Sequence, residues 1–188
     1  MLTWEELECV CKSCTRCRLC ETRTNVVFGM GDRTSPLMLI GEGPGEQEDL
    51  QGLPFVGRSG KLLDQYLEAV DLSRDQVYIA NIVKCRPPQN RDPRPDEEEA
   101  CIDYLRAQVR HIRPKIIVCL GRIAAMKIIR PDFRITAERG TWTEKNGVFM
   151  TATFHPAAVL RDPRKKSDMM LDFMEIRHKY DEVTAGSK

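Results

Sequence analysis

The chain has 188 residues, of which 41% are hydrophobic and 30% are charged, and its formal net charge is +1. This length suffices to bury a core without disulfides, and the balanced charge excludes a global field that attracts nucleic acid. No apolar run approaches the ~20 residues of a membrane span, and the acidic start MLTWEELE is unlike a signal peptide. We therefore expect one cytoplasmic domain over residues 1–188, a monomer without a membrane partner, whose clustered cysteines bind metal.

Short apolar runs closed by glycine or proline alternate with segments of helical periodicity. A first helix, 2–7, leads into a cysteine-rich loop that ends near residue 24, and the tail 181–188 is expected to be frayed. The other predicted elements are strand 36–46 with its closing turn, helix 59–70, strand 76–85, helix 94–112, strand 114–121, helix 122–129, strand 147–156 and helix 167–180. This alternation predicts an α/β fold, a three-layer α/β/α sandwich around a four-stranded, mostly parallel sheet.

Right-handed crossovers would bring the carboxyl ends of these strands to one edge of the sheet, where ligands bind in open α/β folds. The loops expected there are GEGPGEQED, NIVKCRPPQNR, CLGR and HPAAVLR. Glu42 lies in the first, among glycines that let the backbone approach a ligand closely, although a plain turn with a solvated acid is the alternative. Phe55, in the loop GLPFVGRSG, could either stack on a planar base or cap the core.

Two polar residues end predicted strands at this edge. The amide of Asn81 offers a donor and an acceptor, which match the edge of uracil and mismatch that of cytosine; the alternative is that it caps a loop. His155 precedes a proline and is suited to donate a hydrogen bond to a developing anion. The other two histidines, His111 and His178, lie in predicted helices and are explained as surface or half-buried residues.

The loop that follows the fourth strand has the features of a DNA-binding segment. A wedge that enters a base stack needs an apolar tip, and the loop offers Val159, Leu160 and Arg161. A short basic run that could hold phosphates continues with Arg164, Lys165 and Lys166. Most runs of charged residues are simply solvated surface, so only the neighbouring apolar tip supports a DNA-binding role for this run.

Five of the eight cysteines lie in the stretch CVCKSCTRCRLC. Four of them form a C-x2-C-x2-C-x2-C run: Cys11, Cys14, Cys17 and Cys20. This spacing by itself favours a self-contained metal site. The cysteines that are distant in sequence are Cys85, Cys101 and Cys119. Spacing therefore leaves open whether the N-terminal cysteines provide all the ligands or only some of them.

Four segments taken together resemble the family-4 uracil-DNA glycosylases, iron–sulfur enzymes that remove uracil from DNA in bacteria and archaea. These segments are CTRCRLCETRTNVVFGMGD, GEGPGEQEDLQGLPFVGRSGKLLD, VYIANIVKCRPPQNR and FHPAAVLR, in the order of the family. The resemblance implies a [4Fe–4S] cluster, shaping a DNA-facing loop, on Cys14, Cys17, Cys85 and Cys101. Cys119 is then a buried strand residue, and three thiols near the cluster are spare: Cys9, Cys11 and Cys20. A zinc site of four cysteines is the alternative.

The resemblance also implies roles for the sheet-edge residues. Uracil-containing DNA would be the partner, and the substrate-binding residues would be Gly41, Gly43, Gly45, Glu48, Phe55, Asn81 and His155. Glu42, Asn81 and His155 would be catalytic, with Glu42 stabilising the sugar cation and orienting the attacking water. Glu48 is a second acid to consider for that task. The DNA contacts would come from Val159, Leu160, Arg161, Arg164 and Lys165.

The chain differs from the better-known family-1 uracil-DNA glycosylases at the acidic residue that activates water. Family-1 enzymes carry GQDPY with a water-activating aspartate, where this chain has Gly43, so the base is not inherited from them. Gly45 likewise replaces the tyrosine that blocks a 5-methyl group there. A related group links covalently to uracil through a histidine in an inserted loop. No histidine lies between Cys85 and Cys101, which favours a hydrolytic enzyme.

Two other functions compete with this interpretation. A nucleotide or phosphate-ester hydrolase could use GEGPG to hold an anion, but the chain has neither a P-loop lysine nor an Asp/His metal constellation. A non-enzymatic iron–sulfur module could bind DNA or a polymerase, or carry electrons, without chemistry on the base. Magnesium-dependent turnover of a nucleotide would favour the first, and DNA binding without uracil release the second.

Overall fold

A computed structural model describes residues 2–186 and contains one sheet of six strands. The strands are β1 (Met30–Gly31), β2 (Leu37–Gly41), β3 (Tyr78–Asn81), β4 (Ile116–Leu120), β5 (Thr143–Lys145) and β6 (Val148–Thr153). Their order in the sheet is β1-β3-β2-β4-β6-β5. The four central strands are parallel, whereas β1 and β5 pair antiparallel at the two edges.

The predicted α/β fold with a mostly parallel sheet is confirmed, but the predicted number of four strands is wrong. The two additional strands are β1, which has two residues, and β5, whose residues Thr143, Glu144 and Lys145 are all exposed. Neither strand has an apolar pattern, so periodicity does not reveal it.

The helices are α1 (Trp4–Lys12), α2 (Glu46–Gln51), α3 (Arg58–Glu68), α4 (Pro95–Ile112), α5 (Arg122–Ile128), α6 (Ile135–Glu138), α7 (Pro156–Arg161) and α8 (Lys166–Ala185). A capping box between Thr3 and Glu6 begins α1, which extends beyond the predicted range 2–7. The tail predicted to fray from 181 is helical as far as Ala185, where α8 ends; residues 187 and 188 lie outside the described part. Within residues 2–186, no helix is both long and apolar enough to cross a membrane.

Two hydrophobic cores lie on opposite faces of the sheet. Alternate residues of β2 point to opposite sides, so Met38 and Ile40 join the core under α1, α4 and α5. Leu37 and Leu39 join the other core, which α3, α7 and α8 cover. Because both faces are covered, β2 and β4 are buried over their whole length, which explains their continuous apolar sequences.

Candidate active site

A cavity of about 450 Å³ lies at the carboxyl edge of the parallel strands, where a ligand site was expected. Loops after β2, β3, β4 and β6 contribute to it. The predicted site residues that line the cavity are Glu42, Gly43, Gly45, Glu48, Phe55, Asn81, His155 and Arg161. The fold therefore brings together side chains that are far apart in the sequence.

Asn81 ends β3 beside Gly41, its register partner at the end of β2. Its side chain is only 1% exposed, and in residues 2–186 its Oδ1 atom has no hydrogen-bond partner. A Cβ atom at Gly41 would lie 2.4 Å from that oxygen and 2.6 Å from the ring of Phe55. Glycine is therefore required at position 41, and the wall of the cavity offers an acceptor that a ligand can satisfy.

Phe55 lies in the core on one side and lines the cavity on the other, so it has features of both sequence-based interpretations. Its φ of 52° is a left-handed conformation that is unusual for a bulky residue. Arg74 holds this conformation by donating to the carbonyl oxygens of Pro54, at 3.0 Å, and of Phe55 itself. Arg74 also pairs with Asp64 at 2.5 Å.

Glu48 fixes the same loop from the opposite side. Its Oε1 atom accepts from the backbone N–H groups of Val56, at 2.8 Å, and Gly57, at 2.7 Å. The side chain is buried although it belongs to α2, a helix that lies where sequence patterns predicted a polar loop. Glu48 thus positions the segment that carries Phe55, a function that the sequence alone did not suggest.

Gly60 is a test of how tightly this loop packs. A Cβ atom there would lie 1.8 Å from the carbonyl oxygen of Phe55, so Gly60→Ala forces backbone atoms apart. We expect this substitution to lower the free energy of unfolding by roughly 1–3 kcal/mol, as measured by guanidinium denaturation. Lys61→Ala, at the exposed next position of α3, is the control and should change little. An unchanged denaturation midpoint for Gly60→Ala would contradict the packing described.

His155 follows β6 and caps the N-terminus of α7. Its Nδ1 atom accepts from the backbone N–H of Ala157 at 3.1 Å, so the neutral ring carries its proton on Nε2. Burial lowers the pKa of His155 to about 4, and the ring is therefore neutral near pH 7. The ring centroid lies 5.6 Å from that of Phe55. His155 can thus donate one hydrogen bond to a ligand in the cavity.

Glu42 is a half-buried carboxyl group on the turn after β2. Burial, together with the negative charge of Asp92, raises the pKa of Glu42 to about 7, while Arg122 acts in the opposite direction. Asp92 and Arg122 form an ion pair at 2.7 Å and line the same cavity. Sequence reasoning did not single out these two residues, although Arg122 directly follows a strand that ends at this edge.

A second, smaller cavity lies beside α1 and α4. The four thiols predicted to bind metal line it and come from three separate segments of the chain; they are Cys14, Cys17, Cys85 and Cys101. N–H groups donate to three of their sulfurs: Arg23 Nη1 to Cys85 at 3.4 Å, Lys84 N to Cys101 at 3.2 Å and Arg16 N to Cys14 at 3.5 Å. Soft thiolate ligands with such hydrogen bonds are the donor set of iron–sulfur groups, so these residues fit one.

The remaining cysteines have different surroundings. Cys11 and Cys20 line the same small cavity, Cys9 is exposed, and Cys119 lies fully buried in β4, which confirms its interpretation as a buried strand residue. Among residues 2–186, no three His, Cys, Asp or Glu side chains converge on the position of a single metal ion; the four thiols instead surround the small cavity.

Comparison with known proteins places the chain among uracil-DNA glycosylases by sequence. Residues 28–176 match the model of the family described as the uracil DNA glycosylase superfamily. The chain is 45% identical to the type-4 uracil-DNA glycosylase of Archaeoglobus fulgidus over 174 residues, which cover 87% of this chain and 86% of the relative. It is 47% identical to the Sulfurisphaera tokodaii type-4 enzyme, with coverages of 88% and 79%. It is 45% identical to that of Thermotoga maritima, with 80% of each chain covered.

The chain belongs to the uracil DNA glycosylase superfamily. This confirms the family that the motifs predicted.

One residue that the sequence predicted to contact DNA, Val159, lies in the core instead. Val159 is 0% exposed and packs in the core, so the prediction that it contacts DNA is wrong. The reason is that residues 156–161 form the helix α7 rather than a loop, and a helix directs successive side chains to different sides. Leu160 remains 39% exposed, and Arg161 is exposed and lines the cavity.

Two of the predicted phosphate-binding residues, Arg164 and Lys165, already have a partner. Asp162 accepts from Arg164 Nε at 2.8 Å and forms an ion pair with Lys165. Hydrogen bonds from these two cations hold the pKa of Asp162 well below its ordinary value. Contact of Arg164 and Lys165 with DNA stays a prediction, and it would have to compete with this carboxylate.

Proposed function

We propose that the protein is a uracil-DNA glycosylase of base-excision repair, which hydrolyses the N-glycosidic bond of deoxyuridine and leaves an abasic site. The observation that carries this proposal is the buried, unpartnered Oδ1 atom of Asn81 beside the ring of Phe55, at the end of a cavity of about 450 Å³. Membership of the superfamily and the names of its type-4 relatives support the same reaction.

Recognition begins when the nucleotide leaves the base stack, at a cost of a few kcal/mol. The base then stacks on Phe55, and Asn81 Oδ1 accepts from uracil N3–H while the amide nitrogen donates to O4. Cytosine presents an amino group and an unprotonated N3 at these positions, so it leaves the Asn81 pair mismatched. Gly41 permits this because any larger residue would displace Asn81 and Phe55.

Bond cleavage places negative charge on the base and positive charge on the sugar. His155 donates from Nε2 to uracil O2 and stabilises the anion, for which its neutral form is suited. Glu42, as a carboxylate, stabilises the sugar cation and orients the attacking water. Glu48 is the weaker candidate for this task, because its Oε1 atom already accepts from two backbone N–H groups. Gly43 and Gly45 line the same cavity, next to Glu42 and Glu48.

Leu160 and Arg161 are the candidates for DNA contact on α7, with Leu160 filling the space that the flipped nucleotide leaves. Arg164 and Lys165 would hold flanking phosphates.

We further propose that Cys14, Cys17, Cys85 and Cys101 hold a [4Fe–4S] cluster, with zinc as the alternative. When bound, the cluster would cross-link the segment after α1, the loop after β3 and α4 without taking part in hydrolysis. The hydrogen bonds that Arg23, Lys84 and Arg16 donate would hold these thiolates in place.

Asn81→Ala tests the proposed function. We expect it to lower single-turnover excision of uracil from an oligonucleotide by roughly 10- to 100-fold, because both hydrogen bonds to the base are lost. The assay is alkali-revealed strand cleavage, with a thymine oligonucleotide as the substrate control. Thr151→Val is the matched variant, because Thr151 Oγ1 is, within residues 2–186, the other buried side-chain atom without a partner, and Thr151 does not line the cavity. It should excise uracil at the wild-type rate.

The outcomes separate the competing functions. Wild-type protein that binds DNA but releases no uracil would overturn the glycosylase in favour of a non-enzymatic module. Magnesium-dependent turnover of a nucleotide without uracil release would favour a nucleotide hydrolase. Equal excision rates for Asn81→Ala and the wild type would contradict the assignment of Asn81 to the base edge.

A further inference from the structure

Lys84 is a lysine in the interior of the protein. It follows β3 in the apolar stretch NIVKC and is only 1% exposed. Its Nζ atom donates to Gln108 Oε1 at 2.6 Å. The Nε2 atom of Gln108 donates in turn to the carbonyl oxygen of Phe28, at 2.9 Å, and to the hydroxyl of Tyr78, at 3.1 Å. The ammonium group therefore hydrogen-bonds to a neutral amide that neighbouring polar atoms hold in a fixed orientation.

A buried ammonium group without a countercharge is costly, by several kcal/mol even after the surroundings relax. Within residues 2–186, no carboxylate forms an ion pair with Lys84, and the titratable groups that act on it electrostatically are Cys11 and Cys101. Lys84 also lines the small thiol cavity, and its backbone N–H donates to Cys101 Sγ at 3.2 Å. Lys84 is thus next to thiols that carry negative charge when they are deprotonated to bind metal.

An iron–sulfur cluster held by four thiolates carries a net negative charge, because the thiolates outweigh the charge of its inorganic core. We propose that Lys84 is a positioning residue for this group, whose ammonium charge stabilises the thiolate-bound cluster inside the core while Gln108 holds that charge in place. This inference rests on the proposed iron–sulfur site. It assigns to Lys84 a role that is independent of uracil chemistry, since Lys84 does not line the larger cavity.

Lys84→Met tests this inference because methionine keeps most of the volume and removes the charge. We expect the visible absorbance of the purified holoprotein to be lost roughly tenfold faster in the presence of an iron chelator than in the wild type. The midpoint potential of the cluster should also become more negative. Reduction at an electrode adds an electron, and so negative charge, to the cluster. In Lys84→Met the cation that stabilises this charge is absent, so reduction is less favourable.

Two further variants make the test decisive. Lys61→Met, on the exposed face of α3 across the sheet, removes a lysine without approaching the thiols and should behave as the wild type. Lys84→Gln removes the charge but keeps a polar end that can hydrogen-bond to Gln108, so the potential should again become more negative. This variant decides the matter if Lys84→Met does not accumulate as folded protein.

Iron content and uracil excision are measured on the same wild-type preparation. Wild-type protein without iron would overturn both the cluster and the role of Lys84, whatever its activity on uracil. Iron-containing protein that does not excise uracil would overturn the glycosylase alone. Unchanged absorbance decay and potential in Lys84→Met and Lys84→Gln would mean that Lys84 only fills space, and the inference would be wrong.

Discussion

Glu42→Gln is expected to lower uracil excision by roughly 10²- to 10⁴-fold, the usual range for loss of a group that orients or activates water. Glutamine has nearly the same shape but cannot carry the negative charge that faces the sugar cation. Because burial raises the pKa of Glu42 to about 7, the wild-type carboxylate forms only as the pH rises through that value. Single-turnover excision by the wild type should therefore increase with pH and level off above about pH 8.

The pH profile of the variant is the decisive measurement. Glu42→Gln should show low rates without the rise near pH 7, since the group that titrates is absent. Glu46→Gln is the matched control, because Glu46 is an exposed acid four residues further along the chain. If Glu42→Gln keeps both the wild-type rate and the increase in rate near pH 7, another acid orients the water, and Glu48 is the next candidate.

The same pKa has a consequence of opposite sign for stability. The pKa of Glu42 is higher in the folded protein than its ordinary value of 4.5, so between these values the folded state binds more protons than the unfolded state. The free energy of unfolding therefore falls as the pH rises through this interval. Above about pH 7, Glu42→Gln should be at least as stable as the wild type while being less active, which is the pattern of a residue retained for function.

His155→Ala is the second substitution with a large expected effect, a loss of roughly 10²- to 10³-fold in single-turnover excision. The variant lacks the Nε2 donor that stabilises the departing uracil anion. It should keep the rise of activity near pH 7 that Glu42 produces, because the pKa of His155 is lowered to about 4 and its titration lies outside that range. The two substitutions thus differ in the shape of their pH profiles as well as in rate.

His178→Ala is the control for this substitution, since His178 is exposed on α8 and does not line the cavity. It should excise uracil as the wild type does. The affinity for uracil-containing DNA should change much less in His155→Ala than the rate, because the charge on the base develops only as the bond breaks. A loss confined to binding would assign His155 to substrate recognition instead.

The parallel part of the sheet was predictable because burial on both faces leaves a strong local signal. The strands β2 and β4 are continuous apolar runs bounded by glycine or proline, which is what such burial requires. The edge strand β5 has no comparable signal, because its three residues are exposed and polar. The helix α7 was missed for a related reason: six residues that begin with proline are too short to show a helical period.

The cavity was predictable to the extent that it depends on strand ends. Asn81 and His155 each follow a parallel strand, and the topology of the sheet brings such ends together. Arg74 could not be found in this way, because it acts through the carbonyl groups of a loop some twenty residues away in sequence. Lys84 had a signal that was overlooked, a single charged residue within an otherwise apolar segment.

The loop that carries Phe55 has a thermodynamic consequence for ligand binding. Arg74 and Glu48 hold this loop from two sides, with the backbone of Phe55 in its left-handed conformation. Immobilising a free side chain on binding would cost ~0.5–1.5 kcal/mol, and here that entropy is lost when the chain folds. The stacking energy of an arriving base is therefore available in full for holding the nucleotide outside the helix.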